Sequence, residues 1–183
     1  LVPKIDDAIY PIIKEISEAG KIPIVIGGSH ANAFPIIKGI SLAKNKALNV
    51  INLDAHADFR TLEGRHSGNP FSTAKSEGFL ADYSILGLHE NYNSQRMLDE
   101  MAKHKGIRYY FWEDIYLRKK ISFEEALKDF INLNQKQACG IELDMDSVEG
   151  VLSSAMTPSG FTTSETRYYA YQCGHHLQIS YLH

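Results

Sequence analysis

Cysteine is scarce: Cys139 and Cys173 are the two thiols in a chain of 183 residues. Two are too few for a disulfide framework, so each reads as a buried thiol rather than a ligand. A basic surplus is also missing, the formal charge being −3, which argues against nucleic acid or an anionic membrane as a main partner. No apolar run approaches the length of a membrane span and no signal peptide opens the chain, so a cytoplasmic location is expected. Neither a G-x-G-x-x-G pattern nor a P-loop lysine accompanies Gly27 and Gly28, which removes the common nucleotide-binding signatures. An initiator methionine is absent as well. The chain starts at Leu1, and its last residues, QISYLH, read as a strand cut in mid-run. Both ends predict a fragment of a longer protein.

What remains is an ordinary globular composition, 44% hydrophobic and 22% charged, long enough for a sizeable core in one domain spanning 1–183. IDDAIYPIIKEISEAG places Ile5, Ile9, Ile12 and Ile16 at helical spacing and stops at Gly20, although Pro11 is expected to kink or split that helix. KIPIVIGG, ALNVINLD, DYSILGLH, IRYYFW, ACGIELDMD and LQISYLH are candidate strands. Helices are expected between them, most clearly SQRMLDEMAKHKG and SFEEALKDFINLNQ, the latter opened by a capping box of Ser122 with Glu125. TSETRYYAYQCG offers a weaker start, Thr163 with Thr166. Alternating strands and helices with continuous apolar strands imply an α/β fold, a three-layer α-β-α sandwich around a mostly parallel sheet.

In such sheets ligands sit beyond the carboxyl ends of the strands, and there the unusual residues lie. GGSH ends in His30, DAHAD holds Asp54, His56 and Asp58, and LDMD holds Asp144 and Asp146. Taken singly, each has a plain reading as a tight turn, a solvated loop or a cap. Together they collect four carboxylates and two imidazoles at three strand ends. Four clustered aspartates without a counter-charge would raise one another's pKa. Two divalent ions supply four positive charges. A donor set of carboxylate and imidazole without thiolate favours manganese, iron or zinc over copper(I) or an iron–sulfur cluster. If DAHAD stayed extended, its outer aspartates would stand roughly 13 Å apart, so the chain must curl after the strand for them to share a centre. D-M-D spans roughly 6.6 Å, which suits two ions about 3.5–4 Å apart.

GGSH, DAHAD and LDMD resemble the metal motifs of the arginase–agmatinase–formimidoylglutamase family, the ureohydrolases, and the likeness covers nearly the whole chain from Lys21 onward. The resemblance implies an arginase-like fold and two manganese ions. It assigns His30 and Asp58 to one ion and His56 and Asp146 to the other, with Asp54 and Asp144 bridging. It further implies a hydroxide nucleophile that attacks a guanidine or amidine carbon, with Asp58 as proton carrier. The SGNPF run and Arg60 after DAHADF resemble formimidoylglutamases. Arg60 offers a fork for a carboxylate, though it reads equally as a surface residue, and Ser67 and Asn69 are candidate substrate donors.

The resemblance also has departures. The family carries a further acidic residue shortly beyond the position of His183 and a substantial segment before the first metal motif. SVEGVLSSAMTPSGF replaces the acidic-proline turn found in arginases. The expected substrate is therefore N-formimidoyl-L-glutamate, the alternatives being a guanidino hydrolase of the same type or a non-catalytic metal-binding member. A homo-oligomer is expected. His89, His104, His175 and His176 read as caps or surface, and Trp112 with the tyrosines at 109, 110, 168, 169 and 171 as packing rather than a base-stacking platform.

Overall fold

β1 (Leu48–Leu53) is buried at every position, as a strand covered on both faces must be. In the computed structural model, which describes residues 1–153 and 155–183, it lies at the centre of a five-stranded sheet. Ahead of it come α1 (Val2–Glu18) and α2 (Ala33–Lys44). After it follow α3 (Pro70–Ser76), β2 (Leu80–Leu88), α4 (Gln95–Ala102), β3 (Ile107–Phe111) and α5 (Trp112–Tyr116). The chain continues through α6 (Phe123–Asn134), β4 (Ala138–Leu143), α7 (Thr163–His176) and β5 (Gln178–Leu182). The strand order is β3-β2-β1-β4-β5, and every pairing is parallel.

Strand alternation divides the core. Leu48 and Val50 join Ile13, Phe34, Ile37, Phe71 and Met101 under α1 to α4. Ile51 and Leu53 face the other way, toward Ile115, Phe130, Tyr169 and Cys173 under α5 to α7. The three layers expected from the sequence follow from that division. Both cysteines are free and buried. No helix among the described residues is long and apolar enough to cross a membrane.

Three local expectations are corrected. α1 is one helix despite Pro11. Proline leaves the carbonyl four residues back without its helical donor, but Asp7 is exposed, so water can take that place. KIPIVIGG forms no full strand: Ile24 makes a single parallel bridge to Leu182. Val25 N–H donates to the Leu182 carbonyl and Leu182 N–H to the Pro23 carbonyl. Pro23 has no N–H to extend the ladder, and Gly27 and Gly28 turn the chain away at φ of 83° and 90°. The cap of α7 lies one residue earlier than expected. Thr162 accepts from Glu165 N–H, and the Glu165 carboxylate accepts in return from Thr162 N–H. The box of Ser122 with Glu125 on α6 is as expected.

Candidate metal centre

Leu53 of β1 pairs with Leu143 of β4, so the residues that follow them, Asp54 and Asp144, leave the sheet side by side. Each then bends its chain in the same way. Asp54 Oδ1 accepts the backbone N–H of His56 at 2.8 Å, and Asp144 Oδ1 accepts that of Asp146 at 3.0 Å. An aspartate bonding the backbone two residues on produces a turn. At Asp58 the backbone enters the left-handed region, φ 46°, which Asp tolerates better than most residues. These bends supply the curl that DAHAD requires. His30 arrives from the third direction, on a short 3-10 turn (His30–Asn32) capped by Ser29.

The side chains meet in two groups. His30 Nδ1 lies 2.9 Å from Asp58 Oδ2, 2.9 Å from Asp144 Oδ2 and 3.3 Å from Asp54 Oδ2. His56 Nδ1 lies 3.1 Å from Asp146 Oδ2 and 3.6 Å from Asp54 Oδ1. Asp54 therefore turns one oxygen toward each group, the orientation a bridging carboxylate needs. Asp144, for which the resemblance implies a bridging role, joins the first group alone in this structure. Both nitrogens of His30 and Oδ1 of Asp146 are buried without an aligned hydrogen-bond partner among the described residues. Unpaired buried donors and acceptors of this kind are costly. The donor set, with His30 Nδ1 and Asp146 Oδ1 left unpaired, fits a pair of divalent ions.

Without ions the charges are held in tension. Burial raises Asp58 to about 6, against His30 and with help from Asp54 and Asp144. Burial likewise raises Asp146 to about 6, opposed by His56. Burial would also raise Asp54, but His30 and His56 outweigh it and hold the carboxyl at about 2. Asp146 and Asp54 lift His56 to about 11. The sign of the pH dependence follows. Asp58 and Asp146 stabilise the metal-free fold while protonated, a contribution lost as pH rises through about 6. His56 contributes fully below 6.5 and loses its contribution as pH climbs toward about 11. Asp54 contributes above 3.8 and loses that as pH falls toward about 2. The metal-free protein thus loses stability as pH rises from about 4 to about 6 through the aspartates and from 6.5 toward about 11 through His56, while a cation that needs deprotonated ligands binds better as pH rises. The difference in Tm with and without Mn2+ should widen with rising pH; a constant or narrowing difference contradicts this electrostatic picture.

A cleft of about 630 Å³ opens over the groups, lined by His30, His56, Asp58, Ser67 and Asp146 among others. Of the expected substrate donors, Ser67 is there and the other two are not. Arg60 is 61% exposed and pairs with Glu63 at 2.6 Å, facing a separate hollow. Asn69 is buried with both ends of its amide engaged: Nδ2 donates to the Gly64 and Thr61 carbonyls, and Oδ1 accepts from His66 N–H and Arg65 Nη1. It shapes the loop instead of facing the cleft. Arg65 passed unnoticed in the sequence, yet it ties that loop to Asp6 and to the Ala31 carbonyl beside His30. Glu142 and His183 were missed as well. Glu142 was legible two residues before Asp144, on the same strand face. Tyr92, stacked on His56 at 5.3 Å between ring centroids, had no sequence signal. His89 is buried between Tyr92 and Trp112 in the same stack, not at the surface.

Comparison with known proteins agrees with this arrangement. A formimidoylglutamase of Streptococcus pyogenes is 31% identical over 153 residues, which cover 79% of this chain and 47% of the relative. The chain thus spans about half the length of the curated relatives it matches. The crystal structure of formimidoylglutamase from Bacillus subtilis superposes with a TM-score of 0.85 at 23% identity, covering 98% of this chain and 58% of that one. Trypanosoma cruzi formiminoglutamase with Mn2+ gives 0.82 at 20% identity, covering 100% and 63%. These likenesses show the fold. The model of the arginase family matches residues 2–181, which takes in four strands, all but the last residue of β5 and every motif described above, and the chain belongs to that family.

Proposed function

We propose that this chain carries the dinuclear centre of a hydrolase that cleaves a carbon–nitrogen bond of N-formimidoyl-L-glutamate, giving L-glutamate and formamide. The observation that carries the reading is the division of the Asp54 carboxylate, Oδ2 toward His30 and Oδ1 toward His56. His30, Asp58 and Asp144 with Asp54 would hold one ion, and His56 and Asp146 with Asp54 the other. The printed names of the curated relatives favour the substrate, and the T. cruzi structure, which contains Mn2+, favours manganese. Bound there, two divalent ions supply Lewis-acid activation of water at neutral pH.

The protein side chains do the rest. Asp58, whose Oδ2 lies 2.9 Å from His30 Nδ1 on the wall of the cleft, is placed to accept a proton at its carboxylate and return it. It takes the proton from the attacking water and passes it to the amine nitrogen as the carbon–nitrogen bond breaks. The oxygen stays with the one-carbon fragment as formamide, and the nitrogen leaves with glutamate. Ser67, on the cleft wall, is placed to donate to the substrate.

A second reading has its own support. None of the described residues lining the cleft is Lys or Arg, which suits a substrate without carboxylates, such as a guanidino amine, better than a dicarboxylate. Product analysis of the Mn2+-loaded protein separates the two. Formamide from formimidoyl-glutamate is the expected product. Urea from agmatine or arginine at a comparable rate overturns the substrate choice, and neither product leaves a metal-binding member without catalysis.

A further inference from the structure

Glu142 is a carboxylate that the proposed ligand set does not use, and it lies directly behind His30. Its side chain is fully buried on β4, two residues before Asp144 and so on the same face of the strand. Three groups converge on it. Tyr181 O–H donates to Oε1 at 2.7 Å, His183 Nδ1 lies 2.7 Å from Oε2, and His30 Nε2 lies 3.4 Å from the same oxygen. The framework around it is fixed. A side chain at Gly140 would run into the Tyr181 ring, so the missing Cβ lets that ring lie across the strand and reach Glu142. His183 is held to β4 by its N–H, donated to the Ile141 carbonyl at 2.9 Å.

His30 presents opposite nitrogens to two different acidic environments. Nδ1 faces Asp54, Asp58 and Asp144. Nε2 faces Glu142. A neutral imidazole carries its proton on one nitrogen and a lone pair on the other, and the group facing one decides the role of the other. We propose that Glu142 is the positioning residue for His30: its Oε2, 3.4 Å from Nε2, is placed to accept a hydrogen bond from Nε2–H once the ring is seated, and so commits the Nδ1 lone pair to the ion that the three aspartates would hold. A negative charge behind the ring also makes that lone pair a stronger donor. Tyr181 and His183 hold the Glu142 carboxylate in place for this task. Phe71, edge-on to the imidazole at 5.3 Å between centroids, limits its tilt. The inference rests on the dinuclear reading and adds that the two ion positions are unequally supported, since His56 is stacked on the Tyr92 ring and its carboxylate pairs among the described residues are all on Nδ1.

Mn2+ titration by calorimetry tests this, with EPR at sub-stoichiometric metal and the Tm of metal-free protein recorded alongside. Wild type should take up two ions. Glu142→Gln keeps the shape and removes the charge. It should weaken one of the two ions by about 10- to 100-fold and leave the other near its wild-type affinity. EPR should then report isolated Mn2+ where wild type gives a coupled pair. Tyr181→Phe, which keeps the ring, should weaken the same ion by a smaller factor, and it carries the test should Glu142→Gln fail to fold. Two ions bound at wild-type affinity in both variants would overturn the proposal and leave the dinuclear reading standing. So would an equal loss of both ions accompanied by a fall in metal-free Tm, which marks a structural role. Wild type taking up no ion removes the dinuclear reading itself, and the proposal with it.

Discussion

Asp54→Ala is expected to strip both ions from the protein, two per chain falling to none by elemental analysis, with activity falling to background. No other side chain among the described residues belongs to both metal-competent groups centred on His30 Nδ1 and His56 Nδ1. Its loss also costs each group a negative charge at a fully buried position. The fold should survive with a reduced Tm. His56 N–H, which now donates to the carboxylate at 2.8 Å, loses its acceptor at a cost of about 1–3 kcal/mol, and Asn52 Nδ2 loses one of its two, keeping Tyr83 Oη. Asp146→Ala is the contrast. It touches the His56 group alone and should leave one ion. Retention of two ions in Asp54→Ala would contradict the bridging role.

Asp58→Asn should lower kcat of the Mn2+-loaded protein by about 10²- to 10⁴-fold, the usual worth of a positioned proton carrier. The substitution isolates that role. Asparagine accepts the left-handed backbone that Asp58 adopts at φ 46° as readily as aspartate does, so the loop should keep its course. The amide oxygen can still approach the His30 group, and the His56 group does not include this residue. Single-turnover kinetics at saturating Mn2+ should therefore show a slow chemical step with metal still bound. A kcat near that of wild type would assign the proton transfer to another group. Loss of the ion without a residual slow step would leave Asp58 a ligand and nothing more.

The sheet was legible in the sequence because burial on both faces leaves runs dominated by apolar residues and free of charge, as in LNVINL, whose two asparagines are buried as well. The same signature misled at KIPIVIGG. Its alternate isoleucines are exposed, Ile26 at 91%, because a run records apolarity and not the number of neighbouring strands that pair with it. The meeting of Asp54 with Asp144 was legible for a different reason. Adjacent parallel strands place the residues after Leu53 and Leu143 together, so chemistry at strand ends converges without any need to know the loops. Where Arg60 and Asn69 aim was not legible in the same way, because the direction of a loop side chain depends on the loop's own packing. Here Glu63 claims Arg60, and the amide of Asn69 serves the turn around Arg65. Glu142 was overlooked because the acidic row was read from Asp144 onward, although E-L-D-M-D keeps the two-residue period one step further back.

Anomalous scattering at the manganese edge, from crystals of this chain grown with MnCl2, tests the central claim most directly. The account predicts two peaks about 3.5–4 Å apart, one against His30 Nδ1 and one against His56 Nδ1, with the Asp54 carboxylate between them. A single peak, or two peaks that do not share Asp54, would contradict it.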